Sequence, residues 1–168
     1  MAKQKTSTQA SAVVTGAGSG IGRAFALELA ARGGRVICAD INLATAQETV
    51  DMIAAKGGQA HALRCDVSQL AEVEALADQA EAWLRGPLDL VINNAGVGAG
   101  GQLVGDMLMA DWQWALGINL WVVIHGCHVF APRLRTLGRG GIINVCSTAS
   151  FAAAPRMARS LTVATQTG

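Results

Sequence analysis

A glycine-rich turn followed by an acidic residue is the feature of this sequence with the clearest chemistry. An apolar run ends at Thr15, and glycines then recur as G-x-x-x-G-x-G before a helical pattern begins. Such glycines allow a tight turn and let N–H groups at a helix N-terminus approach a phosphate. Asp40 ends the next apolar run, where a carboxylate can accept both hydroxyls of a ribose and repels a 2′-phosphate. The alternative is a flexible turn with a solvated Asp, but the strand–loop–helix context favours a dinucleotide site formed by Gly16, Ser19, Gly20, Ile21, Gly22 and Asp40.

Two further groups of polar residues follow apolar runs. Asp66 and Val67 come after the third run, and Asn93-Asn94-Ala95-Gly96 comes after the fourth. The carboxyl ends of parallel strands are where open α/β sheets bind ligands, so these residues are candidates for the same site. The structural alternatives are a helix cap at Asp66, before the helical pattern that starts at Leu70, and a simple turn at the two asparagines.

The cysteines and histidines do not predict a metal site. Cys38, Cys65, Cys127 and Cys146 lie in apolar runs without a C-x-x-C pair, which is typical of buried free thiols in a reducing cytoplasm. His125, Cys127 and His128 are close in sequence, but a helix would not point all three in one direction.

These candidate residues need a frame of strands and helices, and the apolar pattern supplies one. Short apolar runs predict five strands, at 12–15, 35–39, 60–65, 88–92 and 141–146. Amphipathic stripes between them predict helices, beginning near Ile21, Leu43 and Leu70 and, for the longest, running from Trp112 to Leu137. Gly33-Gly34, Gly57-Gly58 and Gly86-Pro87 are predicted to end the first three. The alternation predicts an α/β fold, a doubly wound parallel sheet of the Rossmann type with strand order 3-2-1-4-5.

Composition limits the function classes. The 168 residues are 51% hydrophobic and 15% charged, with a net charge of +1, which suits one domain with a sizeable core. There is no basic excess for nucleic acid. Polar residues interrupt every apolar run well short of a bilayer span, and residues 1–10 lack the apolar core of a secretion signal, so we expect neither a membrane nor a nucleic-acid partner.

The glycine turn and the two later motifs together resemble the short-chain dehydrogenase/reductase family, in its nicotinamide-using branch. The resemblance rests on Thr15-Gly16-x-x-x-Gly20-Ile21-Gly22, on Asp66-Val67 and on Asn93-Asn94-Ala95-Gly96, in this order at successive strand ends. It covers about residues 12–157 and implies that Asp66 binds the adenine and that the Asn93–Gly96 segment supports the sheet and lines the cofactor. NAD is the expected cofactor, with NADP second, because of Asp40.

The resemblance also implies a catalytic Asn, Ser, Tyr and Lys. Asn119 in the long helix matches the Asn that holds a water in a proton relay, and Ser147 after the fifth strand matches the Ser that holds a substrate carbonyl. A cap or solvent-facing amide is the alternative for Asn119, and a polar turn is the alternative for Ser147. Thr148 and Ser150 are nearby alternatives for the catalytic hydroxyl, which the register favours less than Ser147. The family spacing places the Tyr at position 160 and the Lys at 164, where this sequence has Ser160 and Ala164.

Two interpretations follow from this mismatch. In the first, the protein is an NAD-dependent alcohol or carbonyl oxidoreductase whose sequence departs from the family near residue 158, so that the fold is truncated after the fifth strand and activity is impaired. In the second, it is a non-catalytic dinucleotide-binding module that acts through a partner.

We expect a polar tail at 1–10, a dinucleotide-binding domain at 11–157 and a divergent tail at 158–168. A small alcohol or carbonyl substrate, a cytoplasmic location and homo-oligomers among full-length relatives complete these expectations.

Overall fold

The computed structural model describes residues 6–98 and 106–146. Strands and helices alternate along the chain in the predicted way. The elements, in chain order, are β1 (Ser11–Thr15), α1 (Gly20–Ala31), β2 (Arg35–Asp40), α2 (Leu43–Ala54), β3 (Gln59–Arg64), α3 (Leu70–Leu84), β4 (Leu90–Asn93), α4 (Met109–Asn119), α5 (Trp121–Leu137) and β5 (Gly141–Asn144).

The strands form one parallel sheet in the order β3-β2-β1-β4-β5, as predicted. In the register, Val13 at the centre of β1 lies opposite Ile37 on one side and Val91 on the other. The chain moves outward in one direction through β2 and β3 and in the other through β4 and β5. The order therefore reverses between β1 and β4, and the carboxyl ends of these two strands mark the crevice where such sheets bind ligands.

Both faces of the sheet are covered by helices, which confirms the doubly wound architecture. Val13, Ile37 and Val91 pack into one core cluster with residues of α3 and α5. Val14 and Val36, which are the sequence neighbours of Val13 and Ile37, pack into the other cluster with residues of α1 and α2. Because successive side chains of a strand point to opposite faces, nearly continuous apolar strands are what a sheet between two helical layers requires.

The longest helical run differs from the predicted single helix. It begins at Met109 rather than Trp112, and it is divided at Leu120 into α4 and α5. Within the described part of the chain, this 29-residue run also has the length and hydropathy to cross a bilayer, with a mean hydropathy of 1.4 over an 18-residue window. This corrects the expectation that no stretch is apolar enough, but Val122 and Phe130 pack in the core under the sheet, as in a layer helix of an α/β domain. The run is therefore weak evidence for a membrane.

The ends of the predicted domain are only partly within the described residues. Near the N-terminus, the Gln9 N–H donates to the Arg32 carbonyl and Ala10 is buried, so the last residues of the predicted tail already pack against the domain. The predicted divergent tail at 158–168 lies outside the described residues. The boundaries at 11 and 157 thus remain predictions.

Candidate functional site

A cleft of about 390 Å³ opens at the carboxyl ends of the central strands. All the predicted cofactor residues except Gly22 and Asn93 line it. Its lining consists of Gly16, Ser19, Gly20, Ile21, Asp40, Ile41, Cys65, Asp66, Val67, Asn94, Ala95, Gly96, Val97 and Ile118. The cleft therefore brings together residues that are up to about a hundred positions apart in the sequence.

The glycine turn presents the N-terminus of α1 to this cleft. Gly16 and Gly20 both adopt a positive φ, +66° and +51°, which a residue with a Cβ rarely adopts. Ser19 is the N-cap residue, but its side chain makes no capping hydrogen bond, and the first turn of α1 contains no acidic residue. A helix N-terminus without a side-chain cap offers backbone N–H groups and a positive dipole end to an anion.

Gly22 lies outside the cleft, and its role is close packing. A Cβ at this position would lie 2.1 Å from the carbonyl oxygen of Gly16 and 2.6 Å from Nδ2 of Asn94. The absence of a side chain allows α1 to lie directly against the glycine turn and the end of β4. Gly22 therefore contributes to the shape of the site by allowing this close packing.

Asp40 is held in place by backbone donors on both sides of its carboxylate. Oδ2 accepts a hydrogen bond from the Gly18 N–H at 2.9 Å, and Oδ1 accepts one from the Asn42 N–H at 3.0 Å. Each carboxylate oxygen can accept more than one hydrogen bond, so both retain capacity toward the cleft. The side chain is thus fixed in orientation and still able to accept ligand hydroxyls.

Asp66 closes a turn at the start of α3 and still borders the cleft. Its Oδ1 accepts hydrogen bonds from the N–H and the hydroxyl of Ser68, at 3.0 and 2.7 Å. The N-cap residue of α3 is Gln69, so the alternative of a helix cap at Asp66 does not describe this turn. Next to it, the Val67 carbonyl lies 2.9 Å from Nδ1 of His125, a buried side chain of α5. This contact ties the segment after β3 to the opposite helical layer.

The two asparagines after β4 have different surroundings. Asn93 is buried, its Nδ2 donates to Oδ1 of Asn144 at 2.8 Å, and its side chain packs against Gly126. Asn94, part of the predicted Asn93–Gly96 segment, lines the cleft, and its Nδ2 donates to the Thr15 carbonyl at 3.0 Å. Consecutive residues of an extended chain point to opposite sides, which explains why only one of the two faces the cleft.

Asn119, the last residue of α4, holds the segment that follows β4. Its Oδ1 accepts from the Val97 N–H at 2.8 Å, and its Nδ2 donates to the Val97 carbonyl at 2.9 Å. Neither a helix cap nor a solvent-facing amide describes this arrangement. Ser147, the other predicted catalytic residue, lies outside the described residues, as do positions 160 and 164.

The cysteines differ in exposure, and burial makes two of them poor nucleophiles. Burial raises the pKa of the Cys38 thiol from 9.0 to about 12. It does the same for Cys65, where the nearby carboxylates of Glu72 and Asp66 add to the effect. Cys127 is half-buried and Cys146 is exposed, so the expectation of four buried thiols is wrong for these two. Within residues 6–98 and 106–146, no three His, Cys, Asp or Glu side chains are grouped closely enough to hold a metal ion.

Several lining residues were not predicted from the sequence. Ile41 and Cys65 are adjacent to predicted site residues, so the strand-end rule extended by one position would have found them. Val97 continues the segment after β4 in the same way. Ile118 comes from the last turn of α4 and precedes the predicted Asn119, so adjacency to a predicted residue is the signal that could have found it.

Comparisons with known proteins agree with this arrangement. The profile of the family described as short chain dehydrogenase matches residues 10–159. The 7alpha-hydroxysteroid dehydrogenase of Escherichia coli K12 is 41% identical over 139 residues, which are 83% of this chain and 53% of that protein.

Two solved structures have the same fold. A short chain dehydrogenase/reductase from Burkholderia phymatum in complex with NAD has a TM-score of 0.89 and 38% identity, over 97% of this chain and 57% of that one. A metagenomic short-chain oxidoreductase in complex with NADP has a TM-score of 0.86 and 32% identity, over 96% of this chain and 72% of that one.

The matches extend over most of this chain, but this chain covers only part of its relatives. It spans 23–55% of the length of several curated relatives, among them oxidoreductases and dehydrogenases. The family profile, by contrast, matches all but the ends of the chain. With its parallel sheet, its glycine turn and its strand-end motifs, the chain belongs to the short-chain dehydrogenase family of oxidoreductases.

Proposed function

We propose that this chain binds a nicotinamide dinucleotide in the cleft. The reaction for which this site is suited is hydride transfer between NAD(H) and a small alcohol or carbonyl substrate. The observation that carries the proposal is the conjunction of two features at one cleft. These are the uncapped N-terminus of α1 beside the glycine turn and the fixed carboxylate of Asp40. An anion site next to an acceptor for hydroxyl groups suits a nucleotide with a pyrophosphate and a ribose.

Each part of such a cofactor has candidate residues along the cleft. The N–H groups at the start of α1, around Gly20, would hold the pyrophosphate, and Asp40 would accept the ribose hydroxyls. Asp66 and Val67 would border the adenine, and the segment from Asn94 to Val97 would lie under the rest of the molecule. When bound, the cofactor supplies the carbon that accepts or donates hydride. The described side chains bind, orient and shield it.

NAD(H) is the proposed choice between the two nicotinamide cofactors. The described lining of the cleft includes Asp40 and Asp66 and no Lys or Arg. A 2′-phosphate placed near Asp40 would meet a negative charge whose carboxylate is already held by the Gly18 and Asn42 N–H groups. Of two solved structures with this fold, one is a complex with NAD and the other with NADP, so the fold alone does not select the cofactor. The negative charge of Asp40 is what favours NAD here.

The roles proposed for Ser147 and Asn119 come from the family resemblance. Ser147 would donate to the substrate oxygen, and Asn119 would hold a water in a proton relay. The two hydrogen bonds of the Asn119 side chain to Val97 fix its position beside the cleft. A cytoplasmic location and homo-oligomers among full-length relatives remain predictions from the sequence and the family.

Titration of the 168-residue chain with NAD⁺ and NADP⁺ tests the proposal. Quenching of the tryptophan fluorescence or calorimetry would measure both dissociation constants, with ADP-ribose as a competitor. We expect saturable binding of NAD⁺ that ADP-ribose displaces, and weaker binding of NADP⁺. A chain that is folded by circular dichroism and binds neither dinucleotide would overturn the proposal, and tighter binding of NADP⁺ would overturn the choice of cofactor.

A further inference from the structure

Arg23, in the first turns of α1, is held by groups on both the glycine turn and α2. Its guanidinium donates to the Gly18 carbonyl, to Oγ1 of Thr49 at 3.0 Å and to Oε2 of Glu48 at 3.0 Å. Thr49 is fully buried and in turn donates to the Ala17 carbonyl at 2.8 Å. The arginine is therefore part of a network that joins α2 to the backbone of the turn.

Gly18 connects this network to the acid of the cleft. Its N–H donates to Oδ2 of Asp40, while its carbonyl accepts from Arg23. A Cβ at Gly18 would lie 2.8 Å from the same Asp40 oxygen and 2.2 Å from Oγ1 of Thr45. The backbone of Gly18 thus bridges the guanidinium of Arg23 and the carboxylate that would accept the ribose hydroxyls.

The position of this cation bears on cofactor selectivity. NADP differs from NAD by a phosphate on the adenosine ribose, and an arginine nearby is what accommodates that phosphate. Arg23 is linked to Asp40 through the backbone of Gly18, yet it does not line the described cleft, and its charge is paired with Glu48.

We propose that Glu48 is a selectivity residue that acts through Arg23. By adding a charged contact to those from Gly18 and Thr49, Glu48 helps to hold the guanidinium against α2, away from the position of a 2′-phosphate. It thereby adds to the discrimination that Asp40 provides. Asp40 accepts the ribose hydroxyls directly, whereas Glu48 acts through its partner. The inference deepens the proposed dinucleotide site and rests on it.

The test compares dissociation constants for NAD⁺ and NADP⁺ in the 168-residue chain and in Glu48→Gln. The side chain of Glu48 is largely exposed, so the substitution leaves packing intact. Removing the carboxylate should lower the ratio of the NADP⁺ to the NAD⁺ dissociation constant about twofold to fivefold, the range expected for a solvent-exposed ion pair. The change should come mainly from tighter NADP⁺ binding and should shrink at high salt.

A matched control removes a carboxylate that pairs with a different arginine. Glu28 on α1 pairs with Arg32 at 2.7 Å, and both side chains are exposed, on the far part of the helix. Glu28→Gln changes the net charge by the same amount and should leave the ratio unchanged. An equal shift in this variant would mean that net charge alone is responsible, which would overturn the proposal.

A second pair of variants tests whether Glu48 acts through Arg23. In the Arg23→Gln background, Glu48→Gln should no longer change the ratio, because the guanidinium that it would release is absent. The same comparison with adenosine 2′,5′-bisphosphate and 5′-AMP isolates the effect on the 2′-phosphate from the nicotinamide half. A full shift in the Arg23→Gln background, or no shift in Glu48→Gln alone, would overturn the inference while leaving the dinucleotide site in place. Failure of the parent chain to bind any of these nucleotides would overturn the proposed function and this inference together.

Discussion

The hydroxyl of Thr15 accepts the backbone N–H of Asn94 at 3.0 Å, across 79 positions of sequence. The same oxygen accepts the Ala95 N–H at 3.1 Å and lies 3.3 Å from the Ile92 carbonyl, to which it donates. In return, Nδ2 of Asn94 donates to the Thr15 carbonyl. Two residues thus join the ends of β1 and β4 at the switch in strand order, and they fix the floor of the cleft.

Thr15→Val removes the hydroxyl from this junction without changing the shape of the side chain, and it leaves the bond from Nδ2 of Asn94 to the backbone carbonyl of residue 15 in place. The N–H groups of Asn94 and Ala95 would lose their acceptor in a buried place, which costs about 1–3 kcal/mol of unfolding free energy. Urea denaturation followed by circular dichroism measures the loss. Thr136→Val, on the exposed side of α5, makes the same chemical change and should be within about 0.5 kcal/mol of the parent. Equal effects of the two substitutions would argue against the junction.

Gly22→Ala should be among the more damaging small substitutions in the described chain. The added methyl group would meet the Gly16 carbonyl oxygen and the Asn94 amide, neither of which can move without opening the turn. Overpacking of this kind costs about 1–3 kcal/mol, and dinucleotide binding should weaken with it.

Gly117→Ala is the matched control for this substitution. Gly117 lies in α4 with nothing within 4 Å of an added Cβ, so alanine should stabilise the helix by up to about 1 kcal/mol. Thermal melts of the two variants should move in opposite directions. A Gly22→Ala protein with the parent's melting temperature and affinity would contradict the close packing described at this position.

The fold was more predictable from the sequence than the details of the site. Apolar runs between glycines place all five strands to within about two residues, because burial on both faces leaves a simple pattern. The pattern does not show that Arg85, with a left-handed φ of +52°, is the C-cap residue of α3, because the glycine that follows it is the usual residue for that conformation. It also does not show that Arg23 is bound by Glu48, since that contact joins two helices and depends on how they pack.

Asp40→Asn should weaken NAD⁺ binding more than NADP⁺ binding. The amide keeps an acceptor toward Asn42 but loses the charge that strengthens hydrogen bonds to ribose hydroxyls, while repulsion of a 2′-phosphate is also lost. We expect a roughly tenfold or greater increase in the NAD⁺ dissociation constant, from the contribution of hydrogen bonds to charged groups.

Asp51→Asn serves as the control for the change of charge, since Asp51 is exposed on α2 and, among the described residues, its carboxylate accepts from the Gln47 side chain alone. Titrations of the parent and both variants in the same buffer give the comparison. Parallel loss of affinity for both cofactors in Asp40→Asn would show that the residue holds the turn without selecting the ribose.

The thiols should react in the order of their exposure. The pKa of Cys38 and of Cys65 is raised to about 12 by burial, so almost no thiolate is present at pH 8. A thiol reagent followed by mass spectrometry should modify Cys146 first and leave these two untouched, and all four should react in denaturant. Since their folded pKa lies above the unfolded value of 9.0, the stability they contribute is complete below pH 9 and is lost as pH rises through 12. Modification of Cys65 as fast as Cys146 at pH 8 would contradict this.

The last prediction concerns turnover by the 168-residue chain. The family resemblance assigns proton transfer to a tyrosine phenol, and this chain contains no tyrosine. An alkyl hydroxyl such as that of Ser147 is far too weakly acidic to replace it, and the loss of a general acid commonly lowers the rate by ~10²–10⁴. Asn119 cannot compensate, because both polar groups of its side chain bind the backbone of Val97. We therefore expect the chain to bind NAD⁺ while reducing it no faster than a trace rate.

Absorbance of NADH at saturating cofactor, across a panel of secondary alcohols, measures this rate, and the titration of the same preparation shows that the cofactor is bound. Robust turnover would mean that another group transfers the proton, and the assignment of Ser147 and Asn119 would have to be abandoned.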